Sequence, residues 1–325
     1  FAMTPILTNP LIHSTMPLLG EVTGGEYLAR SYLEISGRNL DAVLDIGPAR
    51  KHLIGLAKGL SDPRAFFGQF QPHNVLGSHR ETGRYHVSIL DDHDMVGGPK
   101  ARFAAGVDIP SRNHQVAHAV GIQLTTLGMP CIYYGTEQAL DGSQTRHDFE
   151  IEPDLSFEDR YIREAMFGAA FGAFETSDCH FFDPNHPTYL RIAAIARLRG
   201  ARNMTGLALR RGRQYLRDIA FADQPFGPPR AGELVAWSRI LFSQEVVIAL
   251  NTHGTERRAA LVTVDFWLSP VGSKLNVLYN SEWPPNALRS LPRNESVTVQ
   301  AAQGRAAISV DLPPAGMAIF ALGGG

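Results

Sequence analysis

Cysteine is nearly absent from this chain: two residues, Cys131 and Cys179, in 325. They carry no metal-type spacing. Cys131 falls inside an apolar run, where a buried free thiol is the expectation. Long hydrophobic runs are also missing. No stretch approaches the ~18 apolar residues that a helical membrane span requires. An excess of either charge is lacking too, with 30 Lys and Arg against 32 Asp and Glu. That balance gives no reason to expect nucleic acid or an anionic membrane as partner, although 12 histidines would shift it in mild acid. Internal repeats and low-complexity runs are absent. No signal-peptide pattern is visible, and the compartment stays open.

What is present reads as ordinary globular protein. Hydrophobic residues make up 44% and charged residues 19%, enough for ample core. The length predicts two domains. Over the first two hundred residues, short apolar runs alternate with stretches of helical period. Ala42 to Ile46 reads as a strand, and Pro48 suits a helix start. A further helix is expected at Pro63 to Gln69. Ser111 to Leu127 is the clearest helix, stopped by Gly128 and Pro130, and Cys131 to Tyr134 follows as a strand. Helices are also expected at Gly24 to Ile35, Tyr161 to Phe174 and Pro187 to Arg199, with a loop over Ala139 to Phe157. Near Gly200 to Gly206 the pattern changes to period two. Leu234 to Ile240, Val246 to Asn251, Ala307 to Leu312 and Met317 to Leu322 read as strands of an antiparallel β-sandwich. The division is therefore 1–204 and 205–325.

The chemistry concentrates at strand ends. Tyr85 to Leu90 is a buried-strand pattern that stops abruptly in Asp91, Asp92, His93 and Asp94. Crowded carboxylates raise one another's pKa, so such a cluster carries a cost unless something offsets the repulsion. Helix capping or a solvated turn would also produce this pattern. Met129 to Gln138 is a second apolar run ending in a polar turn, and Met16 to Gly25 is a third. Three strands delivering polar groups at one end match a parallel α/β barrel, whose chemistry gathers at the C-terminal ends of its strands.

These segments resemble the glycoside hydrolase family 13 enzymes, the α-amylase family, in order and approximate spacing. Leu19-Gly20-Glu21-Val22 is similar to the strand bearing that family's general acid/base. Asp92-His93-Asp94 is similar to its histidine–aspartate signature. Gly128 to Glu137, with Tyr133-Tyr134-Gly135-Thr136-Glu137, resembles the last barrel strand and its turn. Leu40 to Asp45 fits the strand between the first two. The resemblance implies the C-terminal half of a (β/α)8 TIM barrel followed by an antiparallel β-sandwich domain. It implies a retaining α-glucosidic hydrolase acting on α-glucans or maltooligosaccharides. Catalytic roles fall to Glu21, as acid/base, and Asp94, as the stabilising aspartate. His93, Asp92 and Tyr134 would contact substrate. Glu21 and Asp94 should share one cleft, on neighbouring strands, with Glu21 partly desolvated.

Two departures stand out. The family's nucleophile lies in a Gly-x-Arg-x-Asp segment upstream of the acid/base, and nothing of that form precedes Glu21. The expectation is a truncated chain, inactive alone, whose partner is the missing N-terminal half of the barrel; Asp45 is the fallback nucleophile. The family usually carries asparagine where this chain has Asp92, and Asp91 or Asp92 is expected to pair with Arg102 or Lys100. No metal ligands are assigned: His114 and His118 share a helix face but lack a third ligand. No cofactor is certain; the family's usual calcium ligands would lie in a full-length parent. Arg146 and Asp148 could reach an acceptor sugar. Trp237, Trp267 and Trp283 are expected in packing. The rival readings are a catalytically inactive amylase-like binding or partner subunit, and an unrelated barrel hydrolase sharing only two carboxylates.

Overall fold

The computed structural model describes residues 18–22, 32, 40–44, 48–70, 86–94, 101–142, 162–163, 183–222, 224–290 and 294–323. The helix expected over Gly24 to Ile35 lies outside them apart from Tyr32. So does the helix over Tyr161 to Phe174 apart from Ile162 and Arg163. Asp45, Lys100, Arg146, Asp148 and Cys179 also lie outside.

The first part is a parallel sheet of four short strands: β1 (Leu19–Gly20), β2 (Ala42–Leu44), β3 (His86–Ile89) and β4 (Met129–Cys131). They lie in sequence order, each paired with the next. Helices intervene, because parallel neighbours need a crossover. Helices α1 (Pro48–Ala57) and α2 (Pro63–Gly68) connect β2 to β3, and α3 (Arg112–Thr125) connects β3 to β4. Asp62 caps α2 by accepting the Arg64 N–H at 2.8 Å, with Pro63 preset for the first turn. Helix α3 is buried from Gln115 to Thr125, and Gly128 ends the connection at φ 110°. A side chain there would place Cβ 2.9 Å from the His86 carbonyl oxygen, so glycine is required twice over. The strand after it is displaced from expectation. It covers Met129–Cys131, because Gly128 returns the chain directly into pairing with Val87 to Ile89. Ile132 to Tyr134 therefore leave the sheet.

Helices α4 (Pro187–Gly200) and α5 (Met204–Arg211) follow. Two antiparallel sheets come next. One is six-stranded, in the order β11 (Ser296–Thr298), β10 (Lys274–Asn280), β14 (Met317–Leu322), β8 (Gln244–Asn251), β7 (Leu234–Leu241), β5 (Arg213–Arg217). The other is four-stranded: β12 (Gln300–Ala302), β13 (Arg305–Leu312), β9 (Arg258–Thr263), β6 (Ile219–Ala220). Strands β7 and β8 touch β9 and β13 across the gap between the sheets. A short helix, α6 (Pro285–Arg289), packs on α4.

One apolar core joins the parallel sheet's helices to the six-stranded sheet. Phe67 of α2 packs 5.6 Å, ring to ring, from Trp237 of β7. The buried Trp237 indole N–H donates to the Thr125 carbonyl at 3.3 Å. Trp283 is buried and donates to Glu295. Trp267 departs from the packing expectation: it is 86% exposed, because its Asp265-to-Ser269 turn stands outside both sheets. The C-terminus of α3 is held by Arg199 and Arg239, which donate to the Leu124 and Thr125 carbonyls. Burial pushes their pKa values down to about 10 and about 9, and helix carbonyl ends favour such cations.

His118 of α3 meets this second part directly. Its Nδ1 donates to the Ala315 carbonyl, and its Nε2 accepts the Tyr279 hydroxyl at 2.8 Å. These partners suit the neutral ring. His114, 5.8 Å away by ring centroids, shares the same helix face. Both rings pack against the second part. Burial, first of all, pushes His118 well below the ordinary imidazole value and His114 down to about 4. A histidine held neutral contributes stability that is complete above its unfolded pKa. That stability is lost as pH falls from about 6.5 toward the folded value. The unfolding midpoint should therefore drop between about pH 6.5 and 4, and His118→Phe should flatten the drop. Denaturant titrations at several pH values check both.

Candidate functional site

Because the four strands are parallel, the residues following each emerge at the same end of the sheet. Glu21 follows β1 directly and the Asp91–Asp94 cluster follows β3. Strand β2 lies between them. The expectation of neighbouring strands is thereby corrected: two strand spacings, roughly 10 Å, separate β1 from β3. Glu21 is exposed, which also corrects its expected desolvation. Among the described residues β1 is an edge strand, with nothing paired on its far side.

The acidic cluster divides into a buried anchor and an exposed tip. Asp91 is buried; its carboxylate accepts the Phe103 N–H at 2.6 Å and the Thr136 hydroxyl at 2.9 Å. Burial pushes its pKa up, against those hydrogen bonds and the charges of Arg102 and Arg50. Asp91 thus ties the end of β3 to the short 3-10 turn Thr136–Gln138 that follows β4. Asp92 forms an ion pair with Arg50 and accepts the Asp94 N–H at 2.5 Å. The pairing expected with Arg102 or Lys100 is corrected for Arg102. Its guanidinium donates to the Tyr134 carbonyl at 2.9 Å and reaches Asp91 by charge alone. Arg50 arrives instead because β2, the strand before α1, adjoins β3 and aims the first turn of α1 at this end.

Asp94 sits further out. One oxygen accepts from Arg163 at 2.9 Å and the other lies 3.2 Å from the exposed His93 Nε2. Arg163 also donates to the His93 carbonyl at 3.0 Å, so it braces the whole tip. Tyr134 is 40% exposed, its ring 4.6 Å from that of Tyr133, and Arg102 lies 5.2 Å from its centroid. A half-open aromatic face of this kind can stack on an apolar plane. Cys131 ends β4 and is exposed, which corrects the buried-thiol expectation; β4 is the opposite edge of the described sheet. Desolvation and the Asp92 charge still push its thiol up. Among the described residues no group of three or more His, Cys, Asp or Glu is placed to hold a metal ion.

Arg50 and Arg163 escape a reading of the sequence. Arg50 does carry a signal: it is a cation in a helix's first turn, where the helix dipole disfavours positive charge. Arg163 carries none, since its partners lie 69 and 70 positions away. Arg50→Met should destabilise the chain by about 3 kcal/mol by removing the Asp92 counter-charge beside the other carboxylates. Asp92→Asn, added to it, should restore most of that loss. A double-mutant cycle in urea measures the coupling.

No known family's sequence profile matches the chain. A stretch of 56 residues is 43% identical to the cyclomaltodextrin glucanotransferase of Bacillus sp. (strain 1-1), covering 17% of this chain and 7% of that protein. Solved structures align far more widely. The γ-cyclodextrin glucanotransferase structure from the alkalophilic Bacillus clarkii matches 94% of this chain at a TM-score of 0.58 and 16% identity. The Geobacillus thermoleovorans α-amylase, solved with acarbose, matches 95% at 0.57 and 18%. A Nostoc punctiforme debranching enzyme matches 95% at 0.56 and 18%. The chain spans 36%, 53% and 52% of those three structures, about half their length or less. In fold, then, this chain stands with the α-amylase family, over a stretch that fits the C-terminal portion of its enzymes.

Proposed function

We propose that the chain is the second half of a (β/α)8 barrel, residues 1–204, with a C-terminal β-sandwich domain, residues 205–325. We assign it to a retaining glycoside hydrolase acting on α-glucans or maltooligosaccharides. One observation carries the proposal: Glu21 and the Asp92-His93-Asp94 tip leave parallel strands at one end of a sheet, in a chain with the amylase fold. Structural neighbours solved with acarbose and with maltotriose support an oligosaccharide substrate. Those neighbours include glucanotransferase, amylase and debranching enzymes, which does not favour the inactive-subunit reading.

Retaining hydrolysis needs a proton donor for the leaving oxygen and a carboxylate nucleophile about 5–5.5 Å from it. Glu21 is the donor in this reading; it then deprotonates the water that releases the sugar. Asp94 grips sugar hydroxyls and favours the distorted ring. His93 hydrogen-bonds the same sugar, and Tyr134 stacks on a sugar face. The Arg50 pair neutralises the charge that Asp92 adds, so Asp92 shapes the tip as well as facing substrate. The nucleophile is supplied from outside residues 1–325, by the N-terminal half of the barrel; calcium, where used, is held there too. Residues 1–325 alone are then inactive on maltooligosaccharides. Adding the upstream half in trans should restore turnover. Robust activity from 1–325 alone would overturn this assignment and return Asp45 as the attacking group.

A further inference from the structure

A cavity borders the Thr136–Gln138 turn, with Gln138 in its lining. Its volume is about 500 Å³, within the range of small-molecule sites, ~300–1,000 Å³. The starts of α3 and α4 form its walls. Ile109, Pro110 and Leu140 supply an apolar side. Arg112, Asn113, Gln138, Asp183 and His186 also line it. Gln138 is buried and clamps the Asp183 backbone through both amide atoms, at 3.3 and 3.2 Å.

The hydrogen-bonding capacity left over is mixed in sign. One Asp183 carboxylate oxygen accepts the Asn185 N–H at 2.8 Å; the other has no partner among the described residues. Asn113 receives the Thr188 hydroxyl on its amide oxygen at 3.3 Å, which leaves its NH₂ to donate. His186 accepts the Thr188 N–H on Nδ1 at 3.3 Å, so its Nε2 carries the proton. The charge of Arg112 is answered by Asp141 at 2.8 Å. An anion would meet the Asp183 carboxylate. A metal cation would find a single carboxylate. Donors and an acceptor among apolar side chains suit a neutral polyhydroxylated ring, which offers hydroxyls at its edge and C–H groups on its face.

We propose that this cavity binds a neutral mono- or disaccharide, at a site separate from the Glu21–Asp94 cluster. The proposal does not depend on the hydrolase reading. Calorimetric titration of residues 1–325 with maltose, and separately with inorganic phosphate, tests it. Four proteins are compared: wild type, Asp183→Ala at the exposed rim, Ile109→Trp to fill the apolar side, and Asp94→Asn. Thermal melts confirm that each is folded; should Ile109→Trp fail to fold, Asp183→Ala carries the comparison. Saturable maltose binding, weakened at least about tenfold by the two cavity changes and retained in Asp94→Asn, is the expected result. No saturable maltose binding, equal binding in all four, or loss in Asp94→Asn alone would overturn the site. Phosphate binding with the same variant pattern, in place of maltose, would overturn the ligand class.

Discussion

Glu21→Gln, placed in a protein that includes the upstream half of the barrel, is expected to lower maltooligosaccharide turnover by about 10²–10⁴-fold. That is the usual worth of a positioned general acid. The loss should depend on the leaving group. A natural glucan departs as an alkoxide unless protonated, so it needs the donor in the first step. An activated aryl glycoside leaves as a stable anion and needs little protonation. Its glycosylation step should therefore be nearly spared. Asp94→Asn should behave differently. It acts on the distorted ring and not on the departing oxygen, so both substrate types should lose about 10²–10³-fold. Pre-steady-state rates on the two substrates separate these roles. Equal losses for both substrates in the Glu21 variant would remove it from the acid/base position.

The second large effect concerns stability. Glu245 of β8 is fully buried in its side chain, yet it sits in an ion pair. Arg217 pairs with it, and Ser238 and Ser269 donate hydroxyls at 2.6 and 2.7 Å. The Asp265 N–H reaches both carboxylate oxygens at 3.1 Å. One carboxylate thus fastens β5, β7 and the Asp265-to-Ser269 turn to β8. Glu245→Ala should leave these donors and the Arg217 charge without the carboxylate that accepts from them. The expected cost is about 3–5 kcal/mol, as for breaking one side of a buried ion pair. Glu245→Gln should cost less, because it keeps the shape and part of the hydrogen bonding. Urea unfolding of the three proteins gives the ranking, and a Glu245→Ala loss below about 1 kcal/mol would show that the site relaxes or hydrates.

Much of this architecture was legible because the relevant signals are local. Met317–Leu322 is a strand over the span its apolar run predicts. Helix α3 needed only its run of apolar positions and Gly128 to declare itself. Pro63 following Asp62 marked α2. The acidic strand end was equally plain, since an apolar run stopping in three carboxylates and a histidine is visible without coordinates. Its parallel setting followed from strand, helix, strand succession.

Failures came where a residue's state depends on distant chain. Cys131 looked buried by its neighbours in sequence, but β4 is an edge strand among the described residues. Trp267 looked like core because tryptophan usually is; the turn that carries it stands outside both sheets. For Asp91 or Asp92 a partner at Arg102 or Lys100 was expected; Arg102 pairs with neither, and Arg50, 42 positions from Asp92, forms an ion pair with it. Strand pairing brings β2 beside β3, and only that adjacency swings the first turn of α1 over the cluster.

The division has one physical cause. By itself, the sequence determined which segments are helix or strand and which strand ends are acidic, because dihedral preference, hydrophobic period and turn chemistry act over a few residues. Tertiary structure alone decided that Asp91 is a buried anchor and Asp94 a braced, half-open tip, and that a cavity opens beyond Gln138. Desolvation and charge pairing depend on what the folded chain brings within a few ångströms, and neither is written in the spacing of residues along it.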